Sequence, residues 1–201
     1  MKILGISTSP RKTGNTALMV EEVLKGAEQE GAETELFSVS GKEFQPCDGC
    51  YSCAGKGVCH IDDDMRQVHE KMIEADGILF GVPVYYYSMN AHAKIIIDRT
   101  FCLNTPETTL TNKVGGVVGI AGSVGIIDIL KDFYFFFAVR QMLPANFVAA
   151  YATNKGDITQ REQGMKAAGN LGRQMVQLAA KEFKYPAEFS SNFFAFGTHT
   201  H

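Results

Sequence analysis

The chain has 201 residues, of which 45% are hydrophobic and 20% are charged, a composition that is typical of one globular domain. A formal net charge of −3 and a pI near 6.0 give no strong positive field, so neither nucleic acid nor a membrane is an expected partner. No signal-peptide pattern opens the sequence, and five cysteines without such a signal are typical of a reducing compartment, which predicts a cytoplasmic protein.

Apolar runs of strand length alternate with helical patterns along the chain. Strands are predicted over residues 2–6, 34–39, 77–82, 114–120 and 146–150. Helices are predicted over residues 15–30, 61–73, 90–101 and 126–142. The second helix is expected to hold Asp62, Asp63 and Asp64 in its first turn, where the helix dipole favours acidic residues. A last helix is predicted from a capping box of Thr159 and Glu162, with Met165 to Phe183 supplying its inner face.

This alternation predicts a parallel sheet with helices on both faces, because continuous apolar strands must be covered on both sides. Right-handed crossovers place every strand-to-helix loop at one edge of such a sheet. Ligands bind at that edge, near the point where the strand order reverses. The loops after the first, third and fourth strands are therefore expected to line one site, with the loop after the second strand beside it.

The loop after the second strand, residues 45–60, is rich in cysteine. It carries Cys47, Cys50, Cys53 and Cys59. Thiols spaced this closely are typical of a soft metal site, an iron–sulfur cluster, disulfides or redox-active cysteines. The last step is longer than in ferredoxins, and the paired knuckles of structural zinc sites are absent from the sequence. An iron–sulfur cluster, a zinc ion and metal-free cysteines all remain open from the spacing alone.

The loop after the first strand, residues 7–16, combines hydroxyl groups, one arginine and the start of a helix. Free N–H groups and the dipole at a helix start attract phosphate, and Arg11 can pair with phosphate oxygens through two hydrogen bonds. The loop therefore predicts a phosphate site. The alternative is a polar turn that caps the helix through Thr13 or Asn15.

Two further loops present groups that suit a planar ring. Residues 81–90 contain Pro83 and three consecutive tyrosines, whose flat faces and neighbouring backbone groups can line a ring system. The alternative is that these tyrosines belong to the core or to a subunit interface. Residues 121–125 contain two glycines, which allow a ligand to approach the backbone closely.

Three segments together resemble the NADPH-dependent FMN reductase family: the opening GISTSPRKTGNT, the loop PVYYYSMNAHAKIIIDR, and the cysteine run with its following IDDDM. They resemble most closely its iron–sulfur flavoprotein branch. The resemblance implies one flavodoxin-like domain over residues 1–201, an α/β fold with a doubly wound five-stranded parallel sheet in the order 2-1-3-4-5. It also implies an oxidoreductase that binds FMN.

The resemblance assigns roles to individual residues. The FMN phosphate would be held by Ser9, Arg11, Asn15 and Thr16. The isoalloxazine ring would be lined by Pro83, Val84, Tyr85, Tyr86, Gly122 and Ser123. A 4Fe–4S cluster that exchanges electrons with FMN would be ligated by Cys47, Cys50, Cys53 and Cys59.

Three functions are compatible with these features. The first is an iron–sulfur flavoprotein that relays electrons from a ferredoxin-type donor to an acceptor such as a quinone, oxygen or a peroxide. The second is an NAD(P)H-dependent flavin or quinone reductase whose cysteines are structural or reactive. The third is a redox-sensing relative of flavodoxin without catalytic activity.

Apolar segments predict self-association. Residues 133–137 are aromatic throughout, within a helix that would need cover on every face. The tail over residues 186–201 is also aromatic, and together these segments predict a homo-oligomer, either a dimer or a tetramer. Cys102 lies between apolar neighbours and is predicted to be buried, while Asp98 and Arg99 are expected to form ion pairs within or between subunits.

Overall fold

The structure is a computed structural model that describes residues 1–104 and 108–189. Strands and helices alternate along these residues. The strands are β1 (Lys2–Ser7), β2 (Glu33–Ser38), β3 (Gly77–Tyr85), β4 (Ser88–Met89), β5 (Val114–Ala121) and β6 (Leu143–Tyr151). The helices are α1 (Asn15–Gln29), α2 (Met65–Glu74), α3 (Ala91–Arg99), α4 (Ile126–Val139) and α5 (Glu162–Ala179).

Five strands form a parallel sheet in the order β2-β1-β3-β5-β6. Numbered along the chain without β4, this is the predicted order 2-1-3-4-5, and the predicted fold class is confirmed. The short strand β4 was not predicted, and it pairs with the end of β3 in an antiparallel hairpin. The carboxyl ends of the parallel strands meet at one edge of the sheet, which we call the carboxyl edge.

Each face of the sheet buries its own hydrophobic core. Helices α1 and α5 cover one face, and α2, α3 and α4 cover the other. Along β3, Ile78, Phe80 and Val82 face the second layer, whereas Leu79 faces the first. Close contact between α1 and α5 depends on Gly172, since a Cβ atom there would lie 1.9 Å from the carbonyl oxygen of Val23.

Predicted helix boundaries are wrong in α2, α4 and α5, and α4 ends at Val139 instead of residue 142. Asp62, Asp63 and Asp64 precede α2 instead of forming its first turn, and Asp63 turns back to accept a hydrogen bond from the N–H of Met65 at 3.0 Å. The predicted capping box does not form, because the hydroxyl of Thr159 donates to the carbonyl oxygen of Gly156 at 2.8 Å within a 3-10 turn. Helix α5 ends at Ala179, so Phe183 lies beyond its inner face and is 42% exposed.

The aromatic segment of α4 is mostly buried within this chain. Phe133, Phe136 and Phe137 contact Phe80 at the centre of the sheet, and Phe135 alone among the phenylalanines of the segment is exposed, at 69%. Burial of the other aromatic residues therefore requires no partner subunit. The predicted aromatic tail lies largely outside the described residues, which end at 189.

The second core contains a buried histidine. His69 in α2 is 8% exposed, and its Nε2 atom lies 3.0 Å from the carbonyl oxygen of Arg99 at the end of α3. Burial lowers the pKa of His69 from 6.5 to about 4. Cys102 lies beside it and is 1% exposed, which confirms that this cysteine is buried.

Acid should destabilise the fold through His69. In the unfolded chain this side chain takes up a proton near its ordinary pKa, whereas the folded protein resists protonation until about pH 4. The contribution of His69 to the free energy of unfolding is therefore fully present above the unfolded pKa. It is lost as the pH falls from there through the folded pKa, by about 3 kcal/mol. His69→Gln can still donate a hydrogen bond to the carbonyl oxygen of Arg99, but it cannot take up a proton. Between pH 7 and pH 4 its free energy of unfolding should therefore fall by about 3 kcal/mol less than that of wild type. Denaturant unfolding of both proteins at each pH measures the difference, and equal pH dependence would contradict the assignment.

No helix among the described residues combines the length and the apolar composition that crossing a membrane requires.

Candidate functional site

Loops at the carboxyl edge are fastened to one another by buried hydrogen bonds. The hydroxyl of Thr8, in the loop after β1, lies 2.9 Å from both the carbonyl oxygen of Gly81 and Oδ1 of Asn90. The amide of Asn90 donates in return to the carbonyl oxygen of Thr8 at 2.6 Å. Thr8 and Asn90 had no predicted role, because a lone threonine and a lone asparagine give no sequence signal for a contact between distant loops. They hold the loops after β1 and β3 together.

The loop after β1 has the features of an anion site. Helix α1 begins at Asn15 after Gly14, and no side chain caps it, so its first N–H groups remain available to a ligand. Ser9 and Thr16 are buried at this position, and Ser9 accepts a hydrogen bond from the N–H of Arg11 at 3.2 Å. In the described part of the chain the guanidinium of Arg11 forms no ion pair, and the hydroxyl of the buried Ser7 has no partner.

Asn15 has a different role at this loop. Its side-chain amide donates to the carbonyl oxygen of Asn154 at 2.8 Å, and its Oδ1 accepts from the N–H of Gly156 at 2.8 Å. The side chain therefore binds the loop after β6. Only the backbone N–H of Asn15, at the uncapped start of α1, is left to contact a phosphate.

The tyrosines after β3 form a tight turn that projects from the sheet. Tyr86 and Tyr87 both have positive φ angles, 49° and 71°, and they are the two central residues of the β3–β4 hairpin. Residues with larger side chains than glycine are uncommon in this conformation, and strained backbone of this kind is concentrated at functional sites. Tyr86 is 96% exposed, whereas Pro83 is buried and Val84 half-buried behind it. The turn therefore has an anchored base and an exposed aromatic tip.

The loop after β5 meets this turn at Gly125. The φ angle of Gly125 is 106°, and a Cβ atom there would lie 2.6 Å from the carbonyl oxygen of Tyr87. Gly122 is different, because a Cβ atom at that position would meet nothing within 4 Å. The two loops that were predicted to line a flavin ring are therefore in contact, while Gly122 and the exposed Ser123 face open space.

Gly125→Ala should destabilise the protein, whereas Gly122→Ala should not. A side chain at Gly125 adds a disfavoured backbone conformation to a collision with the Tyr87 backbone, so we expect a loss of about 2 kcal/mol in the free energy of unfolding. Gly122→Ala is the matched control in the same loop. Denaturant unfolding compares the two variants, and an equal effect of both substitutions would contradict the close packing at Gly125.

All four predicted ligand cysteines line one hollow of about 280 Å³. Cys47 and Cys50 are exposed, Cys53 and Cys59 are half-buried, and none of the four is in a disulfide. Burial raises the pKa of Cys53, and the negative charges of Cys59, Cys50 and Cys47 raise it further, in that order. The four thiols therefore lie close enough around the hollow for their charges to interact.

A second set of ligand-type side chains lies on the same loop. Asp48, Cys50 and His60 place their ligand atoms within 4.8 Å of one another, and Asp48 pairs with His60 at 2.8 Å. Hydrogen bonds from Cys50 and then from His60 lower the pKa of Asp48 to about 2. Among the described residues no three cysteine sulfurs lie within 4.8 Å of one another. A single zinc ion would need them closer, because it holds each thiolate about 2.3 Å from the metal. The cysteine hollow suits a group larger than one ion.

The hollow lies along α3, away from the loops that were predicted to bind FMN. Its wall includes Asp98 and Phe101, and the ring of Tyr51 packs edge-on against Phe101. Helix α3 starts at the carboxyl edge, where Phe44 contacts His92, and runs back across the sheet. None of the residues lining the hollow is a predicted FMN contact. The loop does leave the carboxyl edge, since the N–H of Val39 donates to the carbonyl oxygen of Ser7, but its cysteines lie farther down the helix.

Comparisons with known proteins place this geometry in context. The sequence profile described as "NADPH-dependent FMN reductase" matches residues 1–155. An iron–sulfur flavoprotein of Methanocaldococcus jannaschii is 37% identical over 188 residues, which cover 89% of this chain and 97% of that protein.

Two solved structures share the fold at low sequence identity. RosB, solved with bound 8-demethyl-8-formylriboflavin-5'-phosphate, superposes with a TM-score of 0.73 at 18% identity, covering 96% of this chain and 83% of RosB. A flavodoxin, WrbA-like protein from Agrobacterium tumefaciens superposes with a TM-score of 0.64 at 16% identity, covering 90% of this chain and 99% of that protein. These likenesses support the flavodoxin-like architecture.

Proposed function

The chain belongs to the NADPH-dependent FMN reductase family and, within it, to the iron–sulfur flavoproteins, and we propose that it relays electrons between FMN and a 4Fe–4S cluster. The family is one of FMN-binding flavoprotein oxidoreductases, and an oxidoreductase activity follows from membership. The observation that carries the finer proposal is the hollow that all four cysteines of the loop line together.

FMN fits the loops at the carboxyl edge. Its phosphate would lie at the uncapped start of α1, where Ser9, Thr16 and the backbone N–H of Asn15 offer hydrogen bonds and Arg11 offers charge. The ring would lie against the tyrosine turn and the loop after β5, which meet at Gly125. When bound, FMN supplies one- and two-electron redox chemistry, while the protein binds and orients it.

A 4Fe–4S cluster fits the cysteine hollow. Cys47, Cys50, Cys53 and Cys59 provide the four thiolates that such a cluster takes. The hollow is open to solvent on the side of Cys47 and Cys50, which suits exchange of electrons with a protein donor such as a ferredoxin. Bound there, the cluster would supply single-electron transfer.

The separation between the hollow and the FMN loops favours a second candidate. If electrons enter directly at the flavin, the protein is an NAD(P)H-dependent flavin or quinone reductase, and its cysteines have no part in turnover. NAD(P)H is then a substrate in place of a reduced protein donor.

Anaerobic reduction experiments distinguish the two candidates. The protein is purified and reconstituted with FMN, iron and sulfide without oxygen, and its visible spectrum is recorded. Reduced ferredoxin, NADPH and NADH are then added separately while the flavin absorbance is followed. We expect ferredoxin to reduce the flavin only when the cluster is present. Rapid reduction by NAD(P)H in cluster-free protein, with no effect of ferredoxin, would overturn the relay and establish the reductase.

We also propose that the protein is a homo-oligomer, a dimer or a tetramer. Phe135 and Ile127 are exposed on α4, and Val124 and Tyr86 are exposed on the adjoining loops. Large apolar side chains exposed on neighbouring elements are typical of contact surfaces. Sedimentation at micromolar concentration should show a species larger than the 22.0 kDa chain, and a monodisperse monomer would contradict the proposal.

A further inference from the structure

A buried arginine lies directly under the cysteine loop. Arg99 is the last residue of α3, and its side chain is 1% exposed. It forms an ion pair with Asp63, whose side chain is 4% exposed. Burial alone would lower the pKa of Arg99, but Asp63 and then Cys59 raise it, so the side chain stays charged. Buried charges are costly and are retained where they are fully paired.

This ion pair joins the two ends of the cysteine loop. The guanidinium of Arg99 donates to the carbonyl oxygen of Gln45 at 3.2 Å and to that of Ile61 at 3.2 Å. Asp63 accepts a hydrogen bond from the N–H of Gln45 at 2.8 Å. Gln45 precedes the first predicted ligand, Cys47, and Ile61 follows the last, Cys59, so both stems of the loop are fastened at one point.

The guanidinium also has a donor left over. Its Nε–H group is buried and has no hydrogen-bond partner, and the guanidinium lies under the Cys59 end of the loop, where it binds the carbonyl oxygen of Ile61 and where Cys59 helps to raise the pKa of Arg99. An unpartnered buried donor costs free energy, and a negatively charged sulfur would satisfy it. A thiolate in a cluster carries the charge that a free thiol lacks.

We propose that Arg99 is a positioning residue for the cluster, which closes the cysteine loop around the hollow and places a positive charge next to Cys59. The inference rests on the proposed cluster. Hydrogen bonds to the sulfurs and the local net charge set the reduction potential of an iron–sulfur cluster. Arg99 therefore stabilises the reduced, more negative state of the cluster and raises its potential.

Two variants separate the charge of Arg99 from its part in the fold. Arg99→Gln alone would leave the carboxylate of Asp63 buried and unpaired, so it is combined with Asp63→Asn. Asp63→Asn alone is the matched control, because it breaks the same ion pair but keeps the cation next to Cys59. The full chain of each protein is reconstituted anaerobically with iron and sulfide, and the cluster potential is measured by redox titration of its absorbance.

The two variants should differ in cluster potential, and only the double variant should fall below wild type. Asp63→Asn removes a negative charge, so its cluster potential should equal or exceed that of wild type. The double variant removes the cation beside Cys59, so its potential should fall below that of wild type. In metal-free protein both variants should be cleaved by a protease within residues 47–60 several-fold faster than wild type, because the stems of the loop are loosened.

Three results would overturn the inference. A shift of the cluster potential in the same direction in both variants would show that Arg99 has only a structural role. An unchanged potential in the double variant would show that the charge of Arg99 does not affect the cluster. Unchanged cleavage of the metal-free loop in both variants would show that the ion pair does not fasten it. If wild type itself takes up no iron and sulfide, the proposed function is rejected instead. The uptake by wild type is therefore measured before any variant is compared.

Discussion

Cys50→Ala should abolish formation of the iron–sulfur cluster. Wild-type protein reconstituted with iron and sulfide without oxygen should bind about four iron atoms per chain, and the variant should bind close to none. Cys50 is exposed at the rim of the hollow, so its truncation removes a ligand without opening a cavity in the core. Metal and sulfide analysis, together with the visible spectrum, measures the loss.

Cys102→Ala is the matched control for this experiment. Cys102 is buried beneath the loop, where its sulfur lies 3.3 Å from the carbonyl oxygen of Arg99, and it does not line the hollow. The control removes one thiol from the same chain, so it should keep the iron content of wild type. Equal iron in wild type and Cys50→Ala, or equal losses in Cys50→Ala and Cys102→Ala, would show that the four cysteines of the loop are not the ligands.

Most of the fold could be predicted from the sequence because the central strands β1, β3 and β5 are nearly continuous apolar runs. Burial on both faces leaves no alternation of polar and apolar residues, and this pattern is typical of parallel sheets. The edge strand β6 was predicted too short, over residues 146–150 instead of Leu143–Tyr151. Pro144 lies in that strand beside an irregularity in the pairing of β5 with β6, and an edge strand tolerates a proline that sequence patterns treat as a breaker.

The boundaries of the helices depend on contacts that no local pattern contains. Asp62, Asp63 and Asp64 look like the acidic first turn of a helix, but Asp63 is engaged by Arg99, which is 36 residues away in sequence. Arg99 was expected to form an ion pair, although the sequence does not identify its partner. Its neighbour Asp98 pairs with Lys94 on the same helix.

The cysteine hollow, too, could be predicted only in part from the sequence. Because one loop supplies all four cysteines, their spacing was enough to predict that they meet around one space. The position of that space was not predictable, since it is set by the contacts of Tyr51 with Phe101 and of Arg99 with both stems of the loop. The sheet topology predicts only where the loop leaves the sheet, not where its cysteines lie.

Arg11→Ala should weaken FMN binding roughly 10- to 150-fold, which corresponds to ~1.5–3 kcal/mol for hydrogen bonds to a charged group. Arg11 lies in the loop after β1, and its guanidinium is exposed at the uncapped start of α1, where the FMN phosphate is proposed to bind. Arg11→Lys keeps the positive charge but loses the paired hydrogen bonds, so its affinity should lie between those of wild type and Arg11→Ala.

Lys12→Ala is the matched control for Arg11. Lys12 is the next residue, is also exposed and carries the same charge, but a single ammonium group cannot form the paired hydrogen bonds of a guanidinium with a phosphate. Titration of metal-free protein with FMN, followed by quenching of the flavin fluorescence, gives each dissociation constant. If Arg11→Ala binds FMN as tightly as wild type, or if Lys12→Ala weakens it equally, Arg11 does not contact the phosphate. The loop after β1 would then attract FMN through its backbone N–H groups and hydroxyls alone.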